Sequence, residues 1–157
     1  MNDDERFLRR AVQLAVDSVA GGKGGPFGAV VVRQGKIVGE GWNQVVPNHD
    51  PTAHAEVNAI REACRRLGSF HLADCVLYAS SEPCPMCLSA AYWARINRIV
   101  FANPRAEAAA VGFCDDELYD ELRLPHCERR LVTVHLPLPD ASEPLLRWQN
   151  DPTRQPY

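Results

Sequence analysis

Apolar side chains recur at helical spacing in four stretches of the chain. Residues 4–20 carry them three and four positions apart, and acidic residues open this stretch, which suits the positive end of a helix dipole. Residues 54–67 show the same spacing and end before Gly68, a residue typical of helix termination. Two shorter helices are predicted, near residues 85–94 and over residues 115–122.

Runs rich in β-branched and other apolar residues predict the strands. The first two, 29–33 and 36–42, flank Gln34-Gly35 and are expected to form a β-hairpin. Three further strands are predicted over residues 75–80, 98–102 and 131–136. Because helices alternate with these strands, we expect an α/β fold with a mixed sheet and helices packed on it.

Composition narrows the class of protein. A chain of 157 residues with 46% hydrophobic content is expected to fold as one domain, residues 1–157. Its net charge of −3 is unfavourable for a polyanion binder, and the sequence offers neither a signal peptide nor a membrane-spanning segment. We therefore expect a cytoplasmic protein. Residues 137–157 contain five prolines, so this tail is not expected to form one regular element.

A histidine and two of the six cysteines form the pattern that points to chemistry. His54 opens the second helix, and Cys84 and Cys87 follow thirty residues later at the start of another. One imidazole and two thiolates are ligands that suit Zn²⁺. Three protein ligands leave one tetrahedral position for water, which is typical of a catalytic zinc site. Zinc lowers the pKa of such a water toward neutrality.

Glu56 is the candidate proton carrier of this site. It follows His54 by two positions, which on a regular helix separates the two side chains by ~200°. At a helix N-terminus that faces a pocket, however, Glu56 can lie beside the metal, take a proton from water and deliver it to a substrate.

The pattern H-x-E followed by P-C-x-x-C is the signature of zinc-dependent nucleobase deaminases. Over nearly its whole length the chain resembles the bacterial guanine deaminases of the cytidine and deoxycytidylate deaminase-like family. This resemblance implies a three-layer α/β/α fold with a mixed sheet of about five strands, and Zn²⁺ as the cofactor. The segments that carry it are residues 26–30, Asn43, residues 50–56, residues 82–87, residues 92–95 and Tyr157.

The resemblance also implies a reaction and a set of roles. Zinc-activated water would attack C2 of guanine, with Glu56 as proton shuttle, and xanthine and ammonia would result. Asn43 would bind the purine, Phe27 and Trp93 would form the walls of its pocket, and Asp115 would be a second catalytic acid. Cys114 stands where similar enzymes carry an acid, so Asp116 is an alternative to Asp115. The family implies a homodimer that exchanges its C-terminal segments, with Tyr157 completing the neighbour's pocket.

Several alternatives remain open at this stage. The metal site could be structural, with His71, Cys75 or Cys114 as fourth ligand, in a noncatalytic interaction module. Asn43 could be a turn residue and Trp93 a core residue. The substrate could be guanosine, ammeline or cytosine. A tRNA adenosine deaminase shares the zinc motif, but the acidic composition argues against an RNA-binding surface.

Overall fold

The structure is a computed structural model that describes residues 2–157. The chain divides into two compact units, one that ends at Asp116 and one that spans Glu117–Tyr157. No helix among the described residues is long and apolar enough to cross a membrane. In chain order the elements are α1 Asp3–Ala20, β1 Gly28–Arg33, β2 Lys36–Trp42, α2 Val45–Asn48, α3 Ala55–Leu67, β3 Cys75–Ser81, α4 Pro85–Trp93, β4 Arg98–Asn103, α5 Arg105–Ala110, α6 Asp116–Arg123, a 3₁₀ turn His126–Glu128 and α7 Glu143–Asn150.

The sheet lies in the first unit and is mixed, as expected. Its strand order is β2-β1-β3-β4, with β1 antiparallel to both β2 and β3, and β4 parallel to β3. The predicted hairpin is confirmed, because Arg33 pairs with Lys36 across Gln34 and Gly35, which both have positive φ. β2 and β4 are the two edge strands.

Alternate residues of β1 face different layers, which confirms the three-layer arrangement. Ala29 and Val31 belong to a buried cluster with residues of α3 and α4, whereas Val30 and Val32 pack with Phe7 of α1 on the opposite face. This alternation is the period of two that a strand imposes on its side chains. Helices therefore cover both faces of the sheet.

Helix α3 lies unusually close to strand β2, and glycines make this approach possible. A Cβ atom at Gly39 would lie 2.3 Å from the carbonyl oxygen of Ala59, and one at Gly41 would lie 2.3 Å from that of Ala55. No side chain fits at either position. The first turn of α3, which follows His54, is thereby seated directly on the sheet.

The C-terminal region differs from the prediction. The sheet has four strands among the described residues, and residues 131–136 form none, although five strands were expected. A strand needs a neighbour for its backbone hydrogen bonds, and among the described residues no strand pairs with this segment. The prolines of residues 137–157 interrupt the tail as predicted, yet α7 forms between them. Helix α5, rich in alanine, was not predicted.

Candidate active site

Two helix N-termini position the candidate metal ligands. His54 is the N-cap residue of α3 and Cys84 that of α4, and both have extended backbone angles. Pro85 occupies the first turn of α4, where its fixed φ favours the helix and its missing N–H has no consequence. Since N-cap residues stand just outside the helical spiral, both side chains are free to point away from their helices.

The three predicted ligands come together. His54 Nδ1 lies 3.6 Å from Cys84 Sγ and 3.5 Å from Cys87 Sγ. Tetrahedral zinc with ordinary Zn–N and Zn–S bonds requires a nitrogen–sulfur separation of about 3.6 Å. The donor atoms and their spacing therefore fit Zn²⁺, and the site is a His–Cys–Cys zinc site.

A fourth protein ligand is not found within the part of the chain that the structure describes. The group able to hold a metal consists of His54, Cys84 and Cys87. Cys75 begins β3 and hydrogen-bonds to Asp74, at the opposite end of the strand from Cys84. The ring of His71 packs against Phe70, 4.4 Å between centroids. The arrangement is thus that of an open site, which is the catalytic rather than the structural type.

The pKa values of the two cysteine thiols shift in opposite directions. A hydrogen bond from Cys87 lowers the pKa of Cys84 to about 4 despite partial burial. The same hydrogen bond, together with burial, raises the pKa of Cys87. His54 accordingly has a raised pKa, chiefly because its ring hydrogen-bonds to the Cys84 sulfur. A thiolate is the form that binds metal, so Cys84 is prepared for that role.

Glu56 lies beside this cluster and is buried, with 8% of its surface exposed. Cys87 Sγ lies 3.5 Å from Glu56 Oε2, within hydrogen-bond distance for sulfur. Burial raises the pKa of Glu56, because removal from water penalises the charged carboxylate. A carboxyl group with a raised pKa can both accept and return a proton near neutral pH.

Asn43 is held in one orientation next to residues 21–25, a loop that contains four glycines. It is buried, and its Oδ1 accepts hydrogen bonds from the backbone N–H of Gly25 (3.4 Å) and of Val45 (3.3 Å). The Asn43 N–H also donates to the carbonyl of Phe27 over 3.0 Å. Since the amide oxygen is engaged, the group that Asn43 offers to a ligand is its Nδ2 donor.

An aromatic pair adjoins the start of β1. The ring of Phe27 contacts that of Phe113 edge to face, with centroids 4.9 Å apart. Ser80, a buried residue near the end of β3, accepts the N–H of Gly28 over 3.0 Å and so anchors the segment that carries Phe27. Sequence reasoning missed both Phe113 and Ser80. The position of Phe113 two residues before a candidate acid was the available signal.

The two aspartates that follow have different environments. Partial burial raises the pKa of Asp115, and the negative charge of Cys84 adds to that rise. The Asp115 carboxyl group therefore interacts electrostatically with a residue of the metal-ligand cluster. Asp116 instead forms an ion pair with Arg105, 3.4 Å between Oδ1 and Nε.

The other two predicted substrate contacts lie at the surface of the single chain. Trp93, the last residue of α4, is 66% exposed. Tyr157 is 69% exposed, and its ring lies 6.5 Å from that of Trp148 within the second unit. Their roles in a pocket stay predictions.

Comparison with known proteins identifies the class. The model of the cytidine and deoxycytidylate deaminase zinc-binding region matches residues 1–103, more than half of the chain, and the chain belongs to this family. Guanine deaminase of Bacillus subtilis (strain 168) is 48% identical over 153 residues, which cover 98% of each chain. The X-ray structure of guanine deaminase from Bacillus subtilis matches the fold with a TM-score of 0.96 over 100% of this chain and 99% of that one.

Two further relatives are more distant. A tRNA-specific adenosine deaminase of Aquifex aeolicus (strain VF5) is 37% identical over 139 residues, covering 88% of this chain and 89% of its own. A structure of guanine deaminase from Nitrosomonas europaea has a TM-score of 0.66 at 31% identity, over 69% of this chain and 63% of that one. The predicted α/β deaminase fold is therefore confirmed.

Proposed function

We propose that the protein hydrolyses guanine to xanthine and ammonia. The observation that carries a deaminase reaction is the buried Glu56 carboxyl group, 3.5 Å from Cys87 in an open His–Cys–Cys cluster. A closed structural site has no use for such a group. The likeness to guanine deaminase of Bacillus subtilis along 98% of both chains supports guanine as the base.

Glu56 moves the protons of this reaction. His54, Cys84 and Cys87 would hold zinc, which supplies the Lewis acidity that makes water nucleophilic near neutral pH. Glu56 accepts a proton from the water as its oxygen adds to C2 of guanine, and passes that proton to a ring nitrogen. Glu56 then accepts the second proton of the added oxygen and delivers it to the amino group, so that the C2–N bond breaks, the oxygen becomes the carbonyl of xanthine, and ammonia leaves. The raised pKa of Glu56 matches this exchange of one proton in two directions.

Other residues orient the base. The Nδ2 group of Asn43 donates a hydrogen bond to an acceptor on the purine, since its oxygen is engaged by the backbone. Phe27 contributes a wall of the pocket together with Phe113, and Trp93 a further contact. Asp115 is the second acid, because Asp116 is engaged by Arg105.

An ammonia-release assay on the zinc-loaded protein tests this function. Guanine is the expected substrate among guanine, guanosine, adenine, cytosine, cytidine and ammeline. Glu56→Ala is expected to lose at least about 100-fold in kcat through loss of general acid–base catalysis, while retaining stoichiometric zinc. Release of ammonia from another base alone would refute guanine as substrate, and an active Glu56→Ala variant would refute the mechanism.

A second candidate function is tRNA adenosine deamination. The identity of 37% over 139 residues with a tRNA-specific adenosine deaminase favours it. The net charge of −3 opposes it, since tRNA binding depends on neutralising phosphates. Inosine formation in tRNA, together with binding that weakens as salt increases, would support this candidate over the first.

The proposed active form is a homodimer that exchanges its C-terminal segments. The second unit leaves many large apolar side chains exposed in the single chain, and Val132 and Val134 are 82% and 79% exposed. Exposure on this scale is typical of a surface that another subunit covers. The exposed side chains are Leu118, Leu122, Leu131, Val132, Val134, Leu136, Leu138, Leu145, Leu146, Trp148 and Tyr157.

The first unit offers a surface that suits such a segment. Within residues 2–157, β4 has a strand neighbour on one side, β3, and its Phe101 is 42% exposed. A strand formed by residues 131–136 of a second copy would supply the missing backbone partner. In this arrangement Tyr157 of one subunit completes the pocket of the other.

A further inference from the structure

Glu82 links the metal-ligand loop to the segment that carries the second acid. Its backbone N–H donates to the carbonyl of Asn103 at the end of β4 over 2.8 Å. Its side-chain Oε2 accepts the backbone N–H of Arg105, the first residue of α5, over 3.0 Å. Glu82 stands two residues before Cys84, so one short loop holds both a zinc ligand and the start of α5.

The far end of α5 leads directly into the pocket residues. α5 ends at Ala110 with Val111 as its C-cap, and Gly112, with a φ of +97°, follows; the Gly112 N–H donates to the carbonyl of Ala109 over 3.0 Å. The N–H of Phe113 donates to the carbonyl of Ala108 over 3.0 Å. These bonds join Phe113 rigidly to the last turn of α5, and Asp115 lies two residues beyond it. A displacement of α5 therefore moves both side chains.

An ion pair closes the same segment on itself. Arg105 Nε lies 3.4 Å from Asp116 Oδ1, so the first residue of α5 is tied to the residue that follows Asp115. Both partners are well exposed, at 42% and 59%, so this contact contributes less than the bond to Glu82.

We propose that Glu82 is a positioning residue for the deaminase site. Through the N–H of Arg105 it fixes α5, and through α5 it sets the distance between the zinc ligands and the pair Phe113 and Asp115. It does not itself contact the base. This inference rests on the proposed function, in which Phe113 and Asp115 contact the substrate.

Two variants separate this role from a general effect on stability. Glu82→Gln retains an oxygen that accepts the Arg105 N–H, whereas Glu82→Leu lacks one. Glu82→Leu is expected to lower kcat/KM for guanine by about 10- to 100-fold, the value of a hydrogen bond to a charged group, chiefly by raising KM. Glu82→Gln is expected to remain within about threefold of the wild type, since it keeps the bond.

The matched control is Glu107→Leu, which changes another acidic residue in the first turn of α5. Glu107 is exposed, and its substitution is expected to leave kcat and KM unchanged. Zinc content and the thermal midpoint are measured on every variant. A Glu82→Leu protein that loses zinc would act through the metal ligands instead, and this result would overturn the proposal.

Epistasis supplies the decisive comparison. Because Glu82 acts through Asp115 and Phe113, Glu82→Leu is expected to have much less effect on kcat/KM in an Asp115→Ala, Phe113→Ala background than in the wild type. Equal effects in both backgrounds would overturn the inference, as would equal damage by Gln and Leu.

Hydrogen–deuterium exchange gives a measure that does not depend on activity. In Glu82→Leu the amides of residues 106–116 are expected to exchange faster, with unchanged exchange in α1 and α3. If the wild-type protein deaminates no guanine, the proposed function is refuted. The exchange measurement then tests the role of Glu82 by itself. If the wild-type protein is active and Glu82→Leu has the same exchange rates and the same KM, the role of Glu82 is refuted while the proposed function stands.

Discussion

The two edge strands of the sheet differ in whether their backbone carbonyls already accept hydrogen bonds from side chains. At β2, side chains of α3 donate to two of these carbonyls: Asn58 donates to that of Trp42 over 2.9 Å, and Arg66 donates to that of Ile37 over 3.4 Å. At β4 the last three residues are exposed, and the strand order gives it β3 as its one neighbour among the described residues. An edge strand whose carbonyls already accept side-chain hydrogen bonds is less able to pair with a further strand, whereas an edge strand with unpaired backbone groups can do so.

The difference favours β4 over β2 as the edge for association. β2 also carries an ion pair, in which Arg10 Nε and Nη2 of α1 lie 2.7 and 2.8 Å from the two carboxylate oxygens of Glu40. This pair places charged groups on the edge strand, which is unfavourable for pairing with an apolar segment. At β4 such a segment would instead cover the apolar ring of Phe101. The comparison therefore directs the proposed exchange of segments to β4.

The largest expected effect is at the segment proposed to pair with β4. Val134→Asp places a charge in an interface that excludes water, and the dimer is expected to dissociate at least about 100-fold more readily. Thr133→Asp is the matched control, because successive residues of a strand face opposite sides and Thr133 lies on the polar one. Light scattering across a dilution series measures both. Equal dimer stability in the two variants would contradict pairing at this edge.

Mixed dimers sharpen the comparison further. Glu56→Ala and Tyr157→Ala subunits are each expected to be poorly active alone. If each pocket takes Glu56 from one subunit and Tyr157 from the other, mixing them through unfolding and refolding is expected to restore about a quarter of the wild-type sites. Wild-type protein refolded in the same way provides the reference. Absence of recovery would place both residues in the same subunit's pocket.

The next largest expected effect concerns β2, the edge strand whose carbonyls accept hydrogen bonds from α3. Asn58→Ala removes the donor to Trp42 and leaves its carbonyl without that partner, so the free energy of unfolding is expected to fall by about 1–2 kcal/mol. Urea unfolding measures the change. The control is Gln13→Ala, which removes an exposed hydrogen bond to Asp17 and is expected to cost less than about 0.5 kcal/mol. If Asn58→Ala lowers the free energy of unfolding by no more than Gln13→Ala does, the hydrogen bond from Asn58 to β2 contributes little to stability.

The smallest effect depends on pH. The hydrogen bond from Arg10 holds the pKa of Glu40 below its usual 4.5. A lowered pKa in the folded state stabilises the protein above pH 4.5, and this stabilisation disappears as the pH falls through the lowered value. Glu40→Gln is therefore expected to cost about 0.5 kcal/mol at pH 7, because both side chains are partly exposed, and nothing in strong acid. If the difference in stability between the wild type and Glu40→Gln grows as the pH falls, the prediction is wrong.

The zinc site was predictable because its signal is local. His54 and Cys84 each precede a helix whose start can be recognised from the sequence, and the spacing to Cys87 is one helical turn. Glu56 was predicted beside the metal because it lies in the first turn of a helix, although regular helix periodicity alone would separate it from His54. The structure places its Oε2 atom 3.5 Å from Cys87 Sγ.

Features that depend on distant partners were not predictable. Phe113 meets Phe27 across 86 positions, and no periodicity connects them. The different environments of Asp115 and Asp116 depend in part on Arg105, which forms an ion pair with Asp116 from the start of α5. The pattern of residues 131–136 favours a strand, but a strand requires a neighbour, and none pairs with this segment in the part of the chain that the structure describes.

The two glycines beneath α3 bear on how this protein could be redesigned. Since a Cβ atom at Gly39 or Gly41 would overlap the backbone of α3, a substitution at either glycine is expected to displace the helix that carries Glu56 and follows His54. The proposed substrate contacts Asn43 and Phe113 lie outside the helices and strands, where substitutions leave this packing intact. Libraries that randomise the positions around Asn43 and Phe113, and leave Gly39 and Gly41 untouched, are where new deaminases should be sought.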